Sequence, residues 1–430
     1  MQFQAPKGTF DLLPYGQEEP WKQVSLWQYA EKVIRETAAD YGYHEIRTPV
    51  YERTELFDRG IGETSDIVMK EMFTFQDRGD RSMSLRPEGT ASVMRSFVEH
   101  QLSQIQPVHK LFYIAPMFRY ERPQSGRYRQ HHQFGVEAIG SKEPAQDAEV
   151  IDFLCETYRR LGLKNLRVDL NSVGDIASRL AYRNALQDYL RPHFKALSLD
   201  SQARFEKNPL RILDSKDPKD RTFLEGAPSI LHSLSPSSKE HFETLLSLLD
   251  ENQIPYRVND RIVRGLDYYC NTVFEVTVET LGSQNSIGGG GRYDGLIGSF
   301  GGPDLPGVGF GTGMERILQT LLAQNVALPT EPGPLLYLLP LGDEARRACF
   351  RLATLCRHHG ISTELDLHSK KIQPGLQQAI RCRSVLCGIV GSEELTKNVV
   401  QLKVLESRHQ EEISQDGLID YCKNHMRKKS

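Results

Sequence analysis

The chain has no C-x-x-C pair. Its seven cysteines stand at 155, 270, 349, 356, 382, 387 and 422, an odd and scattered set that gives no disulfide framework and fits reduced thiols in a reducing compartment. Cys422 and His425 are three apart, but a zinc site needs about four ligands and no second pair is placed to supply them. No metal is therefore expected on cysteine or histidine, and no zinc. The chain also lacks any run of about 18 apolar residues, so no membrane span is expected. Its start, MQFQAPKGTFDLLP, has no basic stretch followed by an apolar core; a cytoplasmic protein without a signal peptide is expected. There is no excess of charge of either sign. With 53 Lys and Arg against 56 Asp and Glu, the formal charge is -3, so any contact with nucleic acid has to be built from local patches. The glycine-rich run Ser286 to Gly302, SIGGGGRYDGLIGSFGG, lacks G-K-[ST], which argues against a phosphate loop. Its glycines instead allow backbone to approach a flat ligand closely.

What is present is an ordinary globular composition, 39% hydrophobic and 25% charged over 430 residues, long enough for two or three domains with real cores. The most informative stretch is Tyr113 to Gly140, YIAPMFRYERPQSGRYRQHHQFGVEAIG. Phe112 to Phe118 and Gln133 to Ile139 are short, rich in aromatic and branched residues, and separated by Pro123, Gly126 and polar neighbours; a hairpin with a long loop is predicted. Around the loop stand Arg119, Arg122, Arg127 and Arg129 with His131 and His132, opposed only by Glu121. A planar, permanently charged guanidinium fork suits phosphate oxygens. The plain alternative is a solvated basic loop.

Taken in order, Glu18 to Tyr41 has the periodicity of an amphipathic helix that Gly42 can stop. YHEIRTPVYERTELF reads as a strand broken at Pro49, which belongs at an edge because proline cannot donate to a ladder. SMSLRPEGTASVM is a strand, a turn and a helix beginning near Thr90. Glu88 at that turn either caps the helix or holds a ligand ammonium. AQDAEVIDFLCETYRRLG is a predicted helix and NLRVDLNSVG a strand. From Asp175 to about Asn252 the pattern is helical and charged, an insertion. Strand signals return over Ile254 to Val278, which contains RGLDYY, Arg264 to Tyr269. PGVGFGTGMERILQTLL, Pro306 to Leu322, is a small-residue strand entering a helix with Arg316 in its first turns. VALPTEPGP reads as a linker, and the alternation of strand and helix beyond it predicts an α/β domain.

Several of these segments resemble the signatures of one family. Phe118-Arg119-Tyr120-Glu121, with its loop and returning strand, is similar to motif 2 of the class II aminoacyl-tRNA synthetases, and RYERPQSGRYRQHHQFGVE to the version in the histidyl-tRNA synthetases. Gly42 to Glu52 resembles motif 1, which forms much of the family's dimer interface. GFGTGMER resembles motif 3, RPEGT the segment that binds the substrate amino group, and GGGRYDGL one wall of the amino-acid pocket. RGLDYY followed by TVFE closely resembles the histidine-specific signature. The last domain looks like the anticodon-binding domain, although AIRCRSVLCG replaces the usual alanine, aspartate and lysine cluster.

The resemblance implies an α+β catalytic domain on a mostly antiparallel sheet flanked by helices, the class II synthetase fold, at 1–325. A helical insertion at about 175–252 would lean over the tRNA acceptor arm, and a linker at 326–334 would lead to a C-terminal α/β anticodon-binding domain at 335–430. It implies a homodimer that activates L-histidine with ATP and Mg2+ and transfers it to histidine tRNA. On the matching positions, Arg119 and Arg264 would flank the α-phosphate, Arg264 in a role other class II enzymes give to a metal ion. Arg316 would hold the γ-phosphate and Glu121 the adenine amino group. Glu88, Thr90, Gln133, Glu137, Tyr268 and Tyr269 would bind histidine. Gln124 and Arg127 would lie at the tRNA acceptor end. A buried carboxylate, here Glu137, reads an imidazole N–H well, and such a site rejects analogues lacking that group by about 10⁴ to 10⁵. The competing classes are a synthetase-like regulatory subunit, a sister synthetase for threonine, proline or glycine, and a non-catalytic RNA-binding protein. The intact RGLDYY, the C-terminal domain, and Arg119, Glu121 and Arg316 argue against them.

Overall fold

The structure, a computed structural model, describes residues 3–62, 65, 67–122, 126–206, 208–213, 215, 217–262, 268–278, 286–329, 332–369 and 371–427. Two compact units divide the chain, Met1–Leu328 and Pro329–Ser430.

The strands of the first unit are β1 (His44–Glu45), β2 (Tyr51–Arg53), β3 (Thr74–Gln76), β4 (Ser82–Leu85), β5 (His109–Phe118), β6 (Gln130–Ile139), β7 (Leu166–Ser172), β8 (Tyr256–Val258), β9 (Cys270–Val278), β10 (Ser286–Arg292) and β11 (Gly307–Gly313). Eight of them form one sheet in the order β1-β5-β6-β11-β10-β9-β7-β8. Its six inner strands are antiparallel, and the edge strands β1 and β8 run parallel to their neighbours. The predicted hairpin is β5–β6, paired from His109↔Ile139 to Phe118↔Gln130. Both strands begin earlier than their apolar runs, because His109, Lys110 and Gln130 to His132 are polar yet find ladder partners across the hairpin.

Period-2 alternation along β6 decides which residues meet what. Phe134, Val136 and Ala138 enter the main core with Trp27, Ile34, Phe153, Leu154, Ile317 and Leu318, from the helices Val24–Asp40, Pro144–Leu161 and Met314–Ala323. Gln133, Gly135 and Glu137 therefore face the other way. On that side Leu111, Tyr113 and Met117 of β5 pack with Val93, Met94, Phe97, Tyr293 and Ile297.

Two local readings differ from the structure, and a third segment had none. The segment around Pro49 makes not one interrupted strand but two: β1 joins the large sheet and β2 a separate three-stranded sheet, β2-β4-β3. Proline's missing N–H breaks the ladder between them. The first helix begins at Val24, after a short turn over Pro20–Lys22. The glycine run is an inner strand, β10, despite the low strand preference of glycine; β9 and β11 hold it from both sides.

Between β7 and β8 the described residues form helices only, from Ile176–Leu190 to Pro236–Glu251, around a core that includes Tyr182, Leu186, Leu190, Phe205 and Ile212. The second unit has β12 (Leu336–Pro340), β13 (Thr363–Leu365), β14 (Leu386–Val390), β15 (Val399–Val404) and β16 (Gln410–Ser414) in the order β13-β12-β14-β15-β16. Alternate residues of β12 and β14 feed opposite faces: Leu336, Leu338 and Leu386 one, Tyr337, Leu339 and Cys387 the other. The strand β16 and the helix Ser392–Lys397 carry too little apolar pattern to be predicted from sequence.

Candidate active site

The face of the large sheet opposite the main core is paved with glycine. Register places Gly135 of β6 beside Gly311 of β11, Gly309 beside Glu137, and Gly289 and Gly291 of β10 beside Gly311 and Gly309. The missing side chains are filled by neighbours. A Cβ at Gly311 would overlap the Gln133 amide, one at Gly309 would lie 2.5 Å from Glu137 Oε2, and one at Gly135 would overlap the Tyr113 ring. The result is a trough whose floor is backbone and whose polar groups are few.

Glu137 lies at its centre, 1% exposed. Thr90 Oγ1 donates to Glu137 Oε1 at 2.8 Å, and the Tyr293 hydroxyl donates to Oε2. Burial, with Glu88 close by, pushes the Glu137 carboxyl up to about 8 against the hydrogen bonds that favour its charge. Glu88 is buried as well, at the start of the helix Thr90–Glu99. It accepts from the N–H of Thr90 at 2.6 Å and of Ala91 at 2.8 Å. The capping reading of Glu88 is thus seen directly, and nothing in it removes the carboxylate from the trough. Burial raises its pKa, opposed by those N–H donors and by Arg119.

Arg119 closes the β5 end: its Nε donates to Pro87 O at 2.9 Å and its N–H to Arg129 O at 2.8 Å. Gln133 contributes a buried Oε1 with no hydrogen-bond partner among the described residues, and its amide nitrogen lies over Gly311. Tyr268 and Tyr269 lie across from it, ring centroids 4.7 Å apart, and Tyr268 meets Tyr293 edge-on at 5.8 Å. At the other end, Arg127 pairs with Glu121 at 3.1 Å. Arg316 donates to Ser286 O at 2.8 Å and feels Arg127, Glu121 and Glu275. Gly126, in the hairpin loop, sits against the Arg316 guanidinium.

Of the residues expected to act, Glu88, Thr90, Arg119, Gln133, Glu137, Tyr268 and Tyr269 gather in one trough, with Glu121, Arg127 and Arg316 as a second group. Arg264 and Gln124 lie outside the described residues. Of the two histidines beside the loop, His131 adds no charge. His131 is held neutral by burial and by Arg119, its pKa lowered to about 3, and His132 faces the buried Glu315 at 3.0 Å. Sequence reasoning missed Tyr113 and Tyr293. Tyr293 stood inside the glycine run named as a pocket wall, whereas Tyr113 had only its strand parity to mark it. Among the described residues no group of three or more His, Cys, Asp or Glu could hold a metal ion.

An antiparallel sheet carrying an arginine and a carboxylate at the mouth of one hairpin, with a second arginine in the helix after its last strand, defines a class II aminoacyl-tRNA synthetase. The family described as Histidyl-tRNA synthetase matches residues 21–317, and an Anticodon binding domain matches 336–425. The chain belongs to the histidyl-tRNA synthetase family. It is 56% identical over 424 residues to a histidine–tRNA ligase of Protochlamydia amoebophila, covering 99% of this chain and 100% of that one. A histidine–tRNA ligase of Geobacillus sp. is 47% identical over 430 residues, with 99% and 100% covered. The apo histidyl-tRNA synthetase of S. aureus superposes with a TM-score of 0.83 at 37% identity, covering 98% of this chain and 100% of that one.

Proposed function

We propose that the trough is the histidine and adenylate site of the family's reaction, on the strength of one observation: a buried carboxylate, Glu137, fixed by Thr90 and Tyr293 at the floor of a backbone-lined cleft. The reaction is activation of histidine with ATP and its transfer to tRNA. The histidine carboxylate attacks the α-phosphorus; a carboxylate O–P bond forms and the bond to diphosphate breaks. Charge then grows on phosphate oxygens, and fixed cations aimed at it are the main catalytic device.

In this reading Arg119 and Arg264 flank the α-phosphate and Arg316 holds the γ-phosphate as diphosphate leaves. Glu121 meets the adenine amino group and exchanges its present partner, Arg127, which turns with Gln124 to the acceptor end of the tRNA. Glu137 accepts from the imidazole N–H, with Tyr268 and Tyr269 closing the pocket. Glu88, Thr90 and Gln133 hold the α-amino and carboxylate groups; the unpartnered Gln133 Oε1 supports this. Magnesium would arrive on the ATP phosphates and neutralise them there.

We further propose a homodimer. Val50, Tyr51 and Phe75 leave 40, 54 and 44% of their surface exposed on or beside the small sheet that follows Pro49, an apolar edge for a second copy. No described helix is long and apolar enough to cross a membrane.

The deciding experiment is amino-acid-dependent ATP–diphosphate exchange with all twenty amino acids and no tRNA. Exchange with histidine alone is expected. Undiminished exchange by Arg264→Ala would remove Arg264 from the reaction, and sedimentation as a monomer would remove the dimer.

A further inference from the structure

The helical region between β7 and β8 packs Phe242, Leu245 and Leu249 of its last helix into the main core, and it also meets the sheet through side-chain hydrogen bonds at the start of β9. There Gly291 pairs with Val273 while the next residue, Arg292, pairs with Cys270. Asn271 and Thr272 thus form a bulge, and Asn271 has the left-handed φ of 45°, strained for a residue with a side chain.

Insertion residues hold that bulge from both ends of the helical region. Arg179, in the first turn of Ile176–Leu190, donates from its guanidinium to the carbonyl of Tyr269 at 3.2 Å. From the last helix, Pro236–Glu251, Ser238 Oγ donates to Asn271 Oδ1 at 2.8 Å, and His241 Nε2 lies 3.4 Å from Thr272 Oγ1. The two helices are joined at their bases. Asp175 accepts from Ser178 Oγ and Ser235 Oγ, both at 2.7 Å, and its N–H donates to Ser238 Oγ at 3.1 Å. A move of the first helix therefore pulls on the Tyr269 carbonyl, and a move of the last pulls on the Asn271 side chain two residues further on.

We infer that Arg179 is a positioning residue for histidine binding: it fixes the Tyr269 carbonyl while Ser238 holds the Asn271 side chain of the adjoining bulge, so the placement of the helix that carries Arg179 sets the enzyme's affinity for histidine. The inference rests on the assignment of Tyr268 and Tyr269 to the histidine pocket. A charge-assisted bond to one carbonyl is strong enough to matter at that distance, and any ligand that shifts the insertion changes histidine affinity by the same coupling that histidine exerts on it.

The test is ATP–diphosphate exchange with the full-length protein, reading KM for histidine and for ATP separately, beside thermal unfolding. Arg179→Ala is expected to raise the histidine KM about five- to tenfold with the ATP KM within about twofold, and Arg179→Lys to recover part of the loss. Ser238→Ala is expected to act in the same direction, more weakly, and it decides the matter if Arg179→Ala does not fold. Arg183→Ala, on the same helix but bonded to Glu206 O within the insertion, should leave both KM values unchanged. If Arg179→Ala and Ser238→Ala only lower the melting temperature, or raise both KM values alike, the two residues are staples and the inference is wrong. Tyr269→Ala separates the premises: an unchanged histidine KM there overturns the pocket assignment itself, whereas a raised one beside an unaffected Arg179→Ala overturns only the positioning role.

Discussion

Thr90 joins the two buried carboxylates of the site: its hydroxyl donates to Glu137 at 2.8 Å while its backbone N–H donates to Glu88 at 2.6 Å. One residue at a helix start thereby fixes both groups in a trough that shields neither from the other. In the proposed assignment an incoming ammonium meets Glu88 and an imidazole N–H meets Glu137.

Replacing Glu137 with alanine should raise the histidine requirement by at least about 100-fold and the ATP requirement little, because a polar site deprived of its reader loses most of its discrimination. Steady-state exchange kinetics give both numbers. Equal losses for the two substrates would sink the assignment.

The raised Glu137 carboxyl has a signature in stability. Its folded pKa of about 8 exceeds the ordinary 4.5, so the folded protein binds the proton more tightly than the unfolded chain does. The resulting stability is full below about 4.5 and is lost as pH rises through about 8. Glu137→Gln removes this dependence. The melting temperature of the variant relative to the parent should climb by several degrees between pH 6 and 9; a flat difference rules the shift out.

Two neighbouring glycines should respond differently to alanine. At Gly309 a Cβ would strike the carbonyl of Val136 in the adjacent strand, which cannot move aside; a loss of about 1–3 kcal/mol is expected from overpacking. At Gly311 the obstacle is the end of the Gln133 side chain, which can swing. Gly311→Ala should keep its stability and lose affinity for histidine. Denaturant titration and the histidine KM distinguish the pair, and an unchanged KM in a stable Gly311→Ala would take Gln133 out of the pocket.

Beside the site, Arg292 and Asp147 form an ion pair in which both side chains are at most 1% exposed. Arg292 also donates to Ser141 O at 2.9 Å and to Asp294 at 3.2 Å, and His241 lies 3.5 Å from Asp147. Arg292→Met strands a buried carboxylate and should cost about 3–5 kcal/mol; adding Asp147→Leu should recover much of it. Denaturant unfolding measures both. A single variant as stable as the parent contradicts the buried pair.

Much of this protein was legible before any coordinates. The apolar runs either side of Pro123 and Gly126 announced the β5–β6 hairpin because strand and turn preferences are local, and GMERILQTLL read as a helix following a strand. The resemblance named candidate site residues by number, and those of them that the structure describes form two groups, one of them in the trough. Only tertiary structure decided what those residues touch. The Glu88 cap is a contact two and three positions long and could be read as a local option, but that Thr90 bonds Glu137 and that Tyr293 reaches it join segments 47 and 156 positions apart, and pattern along the chain carries no information about such distances. The glycine run shows the same limit: its composition argues against a strand, and two neighbouring strands made it one. Local sequence determines periodicity and charge, but which strand lies beside which is settled by burying one face of the sheet under helices, and the site is what that burial leaves on the other face.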